Sequence, residues 1–346
     1  HDGLVDSIRD LANDRELVPA DRSANLLHLH EDLPNAWDAW DIDAHYRHSV
    51  VELRGAESVE LVADGDLRAT VRVRRRFGAS ELVQTIAVHA DDVRVHLGVE
   101  VEWQEREKLL KASLPFVVHA QHHSAEIQFG HLRRPTHTNT SWDDARFEVM
   151  AHRWVHVEEP GYGIGVTNAG TYGHDVTRRI GSTGEVETEV RLSLVRGAQS
   201  PDPEQDLGHH TFSYAVHPGA DLDDVVASGY DENLPLRAVS GETAATTTLT
   251  APAVSSSSGV RVESVKLADD RSGDVVVRLY EALGARTDTV LALRIDAASV
   301  EQVDLRERPI DDAPRSARHF AWDGGGTVAL GLRPFQVLTL RIRPRR

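Results

Sequence analysis

The residues best suited to chemistry are crowded into one stretch, Ile127–Asp175, where histidine, arginine, asparagine and tryptophan surround two turn-rich segments. Arg134, Thr136, His137 and Asn139 lie close together there, and such a density of hydrogen-bond donors on one loop suits the recognition of hydroxyl groups. Trp154 follows. With Trp37, Trp40 and Trp142 it offers a flat apolar face of the kind that stacks on a sugar ring. Polar loops carried by rigid strands are where binding groups usually sit. Arg134, Thr136, His137, Asn139 and Trp154 are therefore the candidate substrate-binding residues. Plain loop structure competes with this reading for the first four, and a core position competes with it for Trp154.

Other clusters point less clearly to chemistry. His28, His30 and Asp32 alternate along one expected strand and so share a face. Two imidazoles and a carboxylate make a three-ligand metal set, but a polar sheet face leading into a turn is the simpler reading. His119, Gln121, His122 and His123 read as a solvated strand end, because neighbours on a strand point to opposite faces. Asp38, Asp41, Asp43, Asp143, Asp144, Glu158, Glu159, Asp202 and Asp206 supply many carboxylates. A glycosidase needs two of them about 5–10 Å apart, and sequence alone does not pair them. There is no G-x-S-x-G elbow, phosphate loop, G-x-G-x-x-G or H-E-x-x-H. None of these patterns singles out a catalytic residue or a metal ligand in this chain.

Bulk composition narrows the partners. The 346 residues carry 55 acidic and 38 basic side chains, a formal net charge of −17, and only three of the basic residues are lysine (Lys108, Lys111, Lys266). Such a field disfavours nucleic acid and anionic membrane surfaces. No apolar run approaches the length of a membrane span. With no cysteine, disulfides and thiol chemistry are excluded together, and a cytoplasmic location is expected.

The elements that position these groups are strands. Val71 and Val73 alternate with Arg68, Thr70, Arg72 and Arg74. Val93, Val95, Leu97, Val99, Val101 and Trp103 alternate with Arg94, His96, Glu100 and Glu102. Period-two patterns of that length predict antiparallel strands with one buried and one wet face. Turn signals such as Asp64-Gly65 and Phe77-Gly78 separate them, as in a sandwich of large sheets. One helix is expected, Asp221–Tyr230, with acids in its first turn. Ser240–Gly259 is small and polar. Strand patterns then resume at Val260–Leu267, Val275–Tyr280, Val290–Ile295, Thr327–Leu332 and Val337–Ile342. The fold class is all-β. A large antiparallel supersandwich spans residues 1–240, a linker or surface strand 241–259, and a smaller β-sandwich 260–346. Residues 1–18 read as the end of a hairpin turning at Asp2-Gly3 and the strand after it, so one strand of the sandwich is expected to precede His1.

Several ordered blocks resemble the C-terminal region of the glycoside hydrolase family 38 α-mannosidases, with the nearest likeness to the cytosolic and bacterial branch. They are WDAWDID (Trp37–Asp43), FGHLRRPTHTNT (Phe129–Thr140), ARFEVMAHRWVHV (Ala145–Val157), GYGIGVTNAGTYGHD (Gly161–Asp175) and RLSLVRGAQSPDPEQDLGHHTFSYAVHP (Arg191–Pro218). RLYEALGAR (Arg278–Arg286) and LRPFQVLTLRI (Leu332–Ile342) resemble the terminal β-domain. One departure stands out: Trp154-Val155-His156 occupies the place of the family's Trp-x-Asp.

The resemblance implies a galactose mutarotase-like supersandwich from a retaining exo-α-mannosidase, with a mannoside as substrate. That enzyme would use an aspartate nucleophile, a carboxyl acid/base and a zinc ion on an N-terminal barrel and the helical region after it. The family's H-x-D zinc motif has no counterpart here. The chain would then be the supporting part of the enzyme, inactive alone, with the enzyme's own catalytic barrel and helical region as its partner and a homo-oligomer left open. A contiguous apolar patch is expected near residues 25–45 or 127–160, where that partner would dock. A stand-alone carbohydrate-binding module and a mutarotase-like epimerase acting through His137 or His152 are the alternatives.

Overall fold

The structure, a computed structural model, describes residues 2–236, 253–310 and 316–345. Its antiparallel strands fall into two compact units, one of residues 1–126 and 132–235, the other of residues 127–131 and 236–346. Of the segment read as a linker, residues 241–252 lie outside the described residues, and Ala253–Ser255 is an edge strand.

In the first unit the long alternating runs form a four-stranded meander, Ser58–Gly65, Arg68–Phe77, Ser80–His89 and Asp92–Trp103. Gly78, at φ +50°, makes the tight turn between the second and third strands. The meander continues through Gly208–Pro218, Tyr162–Asn168, Trp154–Glu159 and His122–Ile127 to the edge strand Gly130–Pro135, giving nine strands. A second sheet orders Val149–Met150, Gly173–Ile180, Val186–Arg196, Lys108–Phe116, Leu26–Glu31 and Val50–Glu52. Val99, Val101, Trp103, Val155, Val157 and Ile164 of the first sheet meet Leu27, Leu110, Ala112, Leu114, Val190 and Leu192 of the second in one buried core. Each such aliphatic side chain contributes about 1.5–3 kcal/mol by leaving water.

The period of two also builds the opposite face of the six-stranded sheet. Register places His28 beside Lys111 and Lys111 beside Ser193, and it aligns Ser113, Arg191 and Asp175 in the next row. A polar face on an antiparallel sheet normally meets water. Here it is covered, because the short 3-10 turn Ala44–His48 lays Tyr46 across it. The Tyr46 hydroxyl donates to Glu148 Oε2 at 3.0 Å.

The expected helix runs over Leu222–Asn233. Asp221 accepts from the Asp224 amide at 2.9 Å while the Asp224 carboxylate accepts from the Asp221 amide at 3.1 Å, a reciprocal cap. Residues 2–24 differ from the hairpin reading. They hold only a two-residue ladder, Arg9–Asp10 with Arg15–Glu16, and one bridge between Val5 and Ala24. The Glu16 carboxylate accounts for this, since it takes the amide hydrogens of Ile8 and Val18 at 2.9 and 3.0 Å that a longer ladder would use.

The second unit pairs two four-stranded sheets. One orders Ala253–Ser255, Thr287–Leu293, Thr327–Leu332 and His319–Trp322; the other orders Val260–Leu267, Val275–Glu281, Val337–Pro344 and Ala297–Val303. Leu338, Leu340 and Ile342 point into its core with Val277, Leu279, Leu291 and Leu330. On the other side of the last strand, Arg341 reaches Asp274 at 2.7 Å, as the alternation requires.

Candidate functional site

Three of the five candidate binding residues converge. Arg134, Thr136 and His137 line one pocket of the first unit, together with Arg47, His123, Asp143, Arg146 and Phe147. It lies toward the edge where both sheets end, since Gly130–Pro135 and Val149–Met150 are the outermost strands. Its free volume is about 20 Å³, room for a single water-sized group. A sugar ring needs a far larger space.

Thr136 is a structural lock rather than a free donor. Its hydroxyl donates to the Ala120 carbonyl at 2.7 Å and its amide to the Gln121 carbonyl at 3.1 Å. His137 places Nδ1 3.5 Å from Asp143 Oδ2, and that nitrogen accepts from the Asn139 amide at 3.3 Å. Asn139 itself is exposed and outside the pocket lining. Trp154 is 1% exposed. Helix residue Gly229 sits so close that a Cβ there would fall 2.7 Å from the indole Cδ1. The core reading of Trp154 therefore holds, because the helix covers the outer face of its strand. His156, at the family's Asp position, uses Nε2 to donate to the Ala220 carbonyl at 2.9 Å, beside the start of that helix.

The HAQHH cluster is not a solvated strand end throughout. His123 is 3% exposed and meets the buried His174 edge to face, ring centroids 5.5 Å apart. Burial, His174 and Arg134 all push the His123 ring well below its ordinary pKa. Burial and then Arg134 lower His174 to about 3.

Beside the pocket lies a charged layer that the sequence reading missed. Lys111, fully buried, donates to Glu148 Oε2 at 2.5 Å and Ser193 Oγ at 2.9 Å, and stands 2.8 Å from Asp175 Oδ2. Arg191 donates to Asp175 Oδ1 at 2.9 Å, and Arg47 lies 3.4 Å from the same oxygen while donating to the Phe147 carbonyl. Burial alone would raise the pKa of Asp175, but Lys111, Arg191 and Arg47 outweigh it and hold the carboxyl well below its usual range. Burial would lower Lys111, and Asp175 with Glu148 raises it instead. Asp175, Lys111 and Arg191 are thus held in their ionised forms at neutral pH. One signal was available: a lysine set between Leu109, Leu110, Ala112 and Leu114 in the strand Lys108–Phe116, in a chain with three lysines.

A second surface is formed around Trp37 and Trp40, which are 72% and 71% exposed. Their loop is braced from below. Arg196 donates to Asp32 Oδ2 at 2.6 Å, the Asp38 carbonyl at 3.1 Å and the Asp41 carbonyl at 2.7 Å. Asp38 in turn accepts the amides of Gln199 and Ser200 at 2.7 and 3.0 Å. The groove beside the two indoles measures about 450 Å³ and is lined by Asp32, Asp38, Glu107 and Pro201 as well. Trp142 is also exposed.

His28, His30 and Asp32 do not meet as a set, since both rings face the charged layer while Asp32 is held by Arg196. Among the described residues no three His, Cys, Asp or Glu side chains come together to hold a metal ion. The pairs an epimerase would need are poorly placed. His137 and Asp143 belong to one loop, and the Glu126 carboxylate 3.7 Å from His152 is gripped by Arg153 through Nε at 3.0 and 2.9 Å.

Two family models match successive parts of the chain: "Glycosyl hydrolases family 38 C-terminal domain" over residues 1–204, and "Glycosyl hydrolases family 38 C-terminal beta sandwich domain" over residues 259–340. The chain belongs to glycosyl hydrolase family 38. Human alpha-mannosidase 2C1 is 35% identical over 345 residues, 98% of this chain and 32% of that protein. Alpha-mannosidase G of Dictyostelium discoideum is 30% identical over 354 residues, 98% of this chain and 31% of its own length. The chain therefore spans about a third of these curated relatives. A solved alpha-mannosidase from Enterococcus faecalis V583 shares the fold, with a TM-score of 0.73 at 14% identity over 97% of this chain and 40% of that one. The charged layer, the small pocket and the tryptophan loop are thus features of a family 38 C-terminal region. No helix among the described residues is long and apolar enough to cross a membrane.

Proposed function

We propose that this chain is the non-catalytic C-terminal part of a cytoplasmic, retaining exo-α-mannosidase, and that it frames the mannoside pocket of the intact enzyme. The observation that carries this reading is the match to two C-terminal models of glycosyl hydrolase family 38 in succession. The catalytic carboxyl groups, and the zinc that would polarise and orient the sugar's hydroxyls, belong to the barrel and helical region of the whole enzyme.

The framing surface is the part this chain contributes. Arg134 and His137 line the small pocket, while Trp37 and Trp40 offer an exposed apolar face. Leu33, Trp142, Leu132 and Met150 add further exposed apolar side chains within residues 25–45 and 127–160, the segments expected to meet the barrel. A second reading, a carbohydrate-binding surface, is favoured by one observation, the acid-lined groove beside the two indoles. One experiment separates them. A chromogenic α-mannoside with zinc is incubated with this chain alone and with the full-length enzyme, and mannoside binding to the chain alone is titrated by tryptophan fluorescence. Framing predicts turnover by the full-length enzyme only and no fluorescence change with the chain alone. Saturable quenching by the sugar would favour the binding surface, and turnover by the chain alone would refute both.

A further inference from the structure

The small pocket is positively charged in a protein of net charge −17. Three guanidinium groups line it, from Arg47, Arg134 and Arg146, against a single carboxylate, Asp143. That carboxylate is already engaged, since Arg146 Nη1 lies 3.8 Å from it. The Thr140 hydroxyl donates to it as well, at 2.7 Å. Arg47 is turned toward Asp175 and the Phe147 carbonyl. Arg134 is left over. Its Nη1 is buried with no hydrogen-bond partner among the described residues.

His123 is the second, independent observation. It lines the same pocket, is 3% exposed, and neither ring nitrogen has a partner among the described residues. A neutral imidazole always carries one N–H, and leaving a buried donor unmade costs about 1–3 kcal/mol. A half-buried guanidinium whose Nη1 is inaccessible and a buried neutral donor therefore line one cavity of about 20 Å³. Water would satisfy the imidazole but would leave the guanidinium charge uncompensated. A small anion would compensate that charge, and the confined space favours the smallest, a halide, over a carboxylate or phosphate group.

We propose that this pocket binds a monatomic anion of the halide class, chloride under ordinary conditions, held between the Arg134 guanidinium and the His123 ring. The site does not depend on the mannosidase reading. It would anchor the edge strand Gly130–Pro135 to the loop of residues 136–147 and fix where that loop stands.

The test uses the 346-residue chain as it is. Crystals soaked in sodium bromide should give an anomalous peak within hydrogen-bond distance of Arg134 and His123; an empty pocket at high bromide overturns the proposal. In solution, ionic strength is held constant while sodium gluconate is exchanged for sodium chloride or bromide, and thermal unfolding is followed. A saturable rise in Tm of a few degrees is expected with either halide. Arg134→Gln should abolish the saturable part and keep the native circular dichroism, because the guanidinium has no protein partner at Nη1 to lose. His123→Phe should do the same with the imidazole removed. A halide effect that rises without saturation, or that persists in Arg134→Gln, overturns the site. Should a variant fail to fold, the bromide diffraction on the unaltered chain still decides.

Discussion

Two buried carboxylate sites, one in each unit, are held in different ways. In the first, Asp175 and Glu148 are set against Lys111 and Arg191 across neighbouring strands and a covering segment. In the second, Glu281 is fully buried but faces backbone: it accepts the amides of Leu283, Gly284 and Phe335 at 3.0, 2.8 and 3.0 Å. A carboxylate on amides holds a turn in shape. A buried ion network is seldom the most stabilising choice, since well-packed apolar residues often do as well or better. The first unit has one where Arg47, Glu148 and the loop after Pro135 must be fixed in position, next to the pocket. The difference teaches that Glu281 shapes a turn, whereas the layer of the first unit holds side chains from several strands against one another.

Breaking the ion layer should give the largest effect. Lys111→Met removes the cation while Asp175 and Glu148 stay buried, so a loss of about 3–5 kcal/mol is expected in urea denaturation. A loss below about 1 kcal/mol would mean the layer is effectively solvated, and the contrast between the units would collapse.

Acid should separate the units next. The buried histidines His28, His30, His123, His156 and His174 all belong to the first unit. Burial, then Arg191, His28 and Lys111, lower His30 to about 4, and His174 falls to about 3. Between those values and the ordinary 6.5, the unfolded chain binds protons that the folded chain refuses. Stability must then fall as pH falls through that window, by up to about 1.4 kcal/mol per pH unit for each such histidine. Amide hydrogen exchange at pH 7 and pH 5 should show strands of the first unit losing protection first. Equal loss in the strand Val337–Pro344 would contradict the assignment.

Glu281→Gln should cost less, about 1.5 kcal/mol, because the shape survives and only the charge on three amide bonds is lost. Its mark should be local. Exchange of the Leu283, Gly284 and Phe335 amides should quicken while Lys111 and its neighbours are unaffected.

Much of the fold was legible because alternation is local. Asp92–Trp103 and Val337–Pro344 carry their buried and exposed faces in the order of their residues. The helix announced itself through Asp221 and the acids that follow it. What escaped was whatever depends on a third element covering a sheet. Lys111, Asp175 and Arg191 read as a wet face until Tyr46 is laid across them, and Trp154 reads as a platform until a helix closes over it. His123 looked exposed because nothing local tells that its face of the strand turns inward to His174. The candidate loop was found for the same reason it was only partly understood. Its donors are dense in sequence, but Thr136 is consumed by the Ala120 carbonyl, far from it along the chain.

The smallest expected change in stability is also the one that bears most on function. Trp37 is held at φ +59°, a conformation that disfavours side chains and suits glycine. The loop is nevertheless clamped there by Arg196, and the indole it carries stays 72% exposed. For the chain alone, Trp37→Gly should therefore be neutral or stabilising by up to about 1 kcal/mol, read as an unchanged or raised urea midpoint. A destabilisation of about 2 kcal/mol would show that the indole supports its own unit, and would remove the reason for regarding it as a contact surface. Under the proposed framing role, the same substitution in the full-length enzyme should lower kcat/KM for an α-mannoside, and an unchanged value would count against that role.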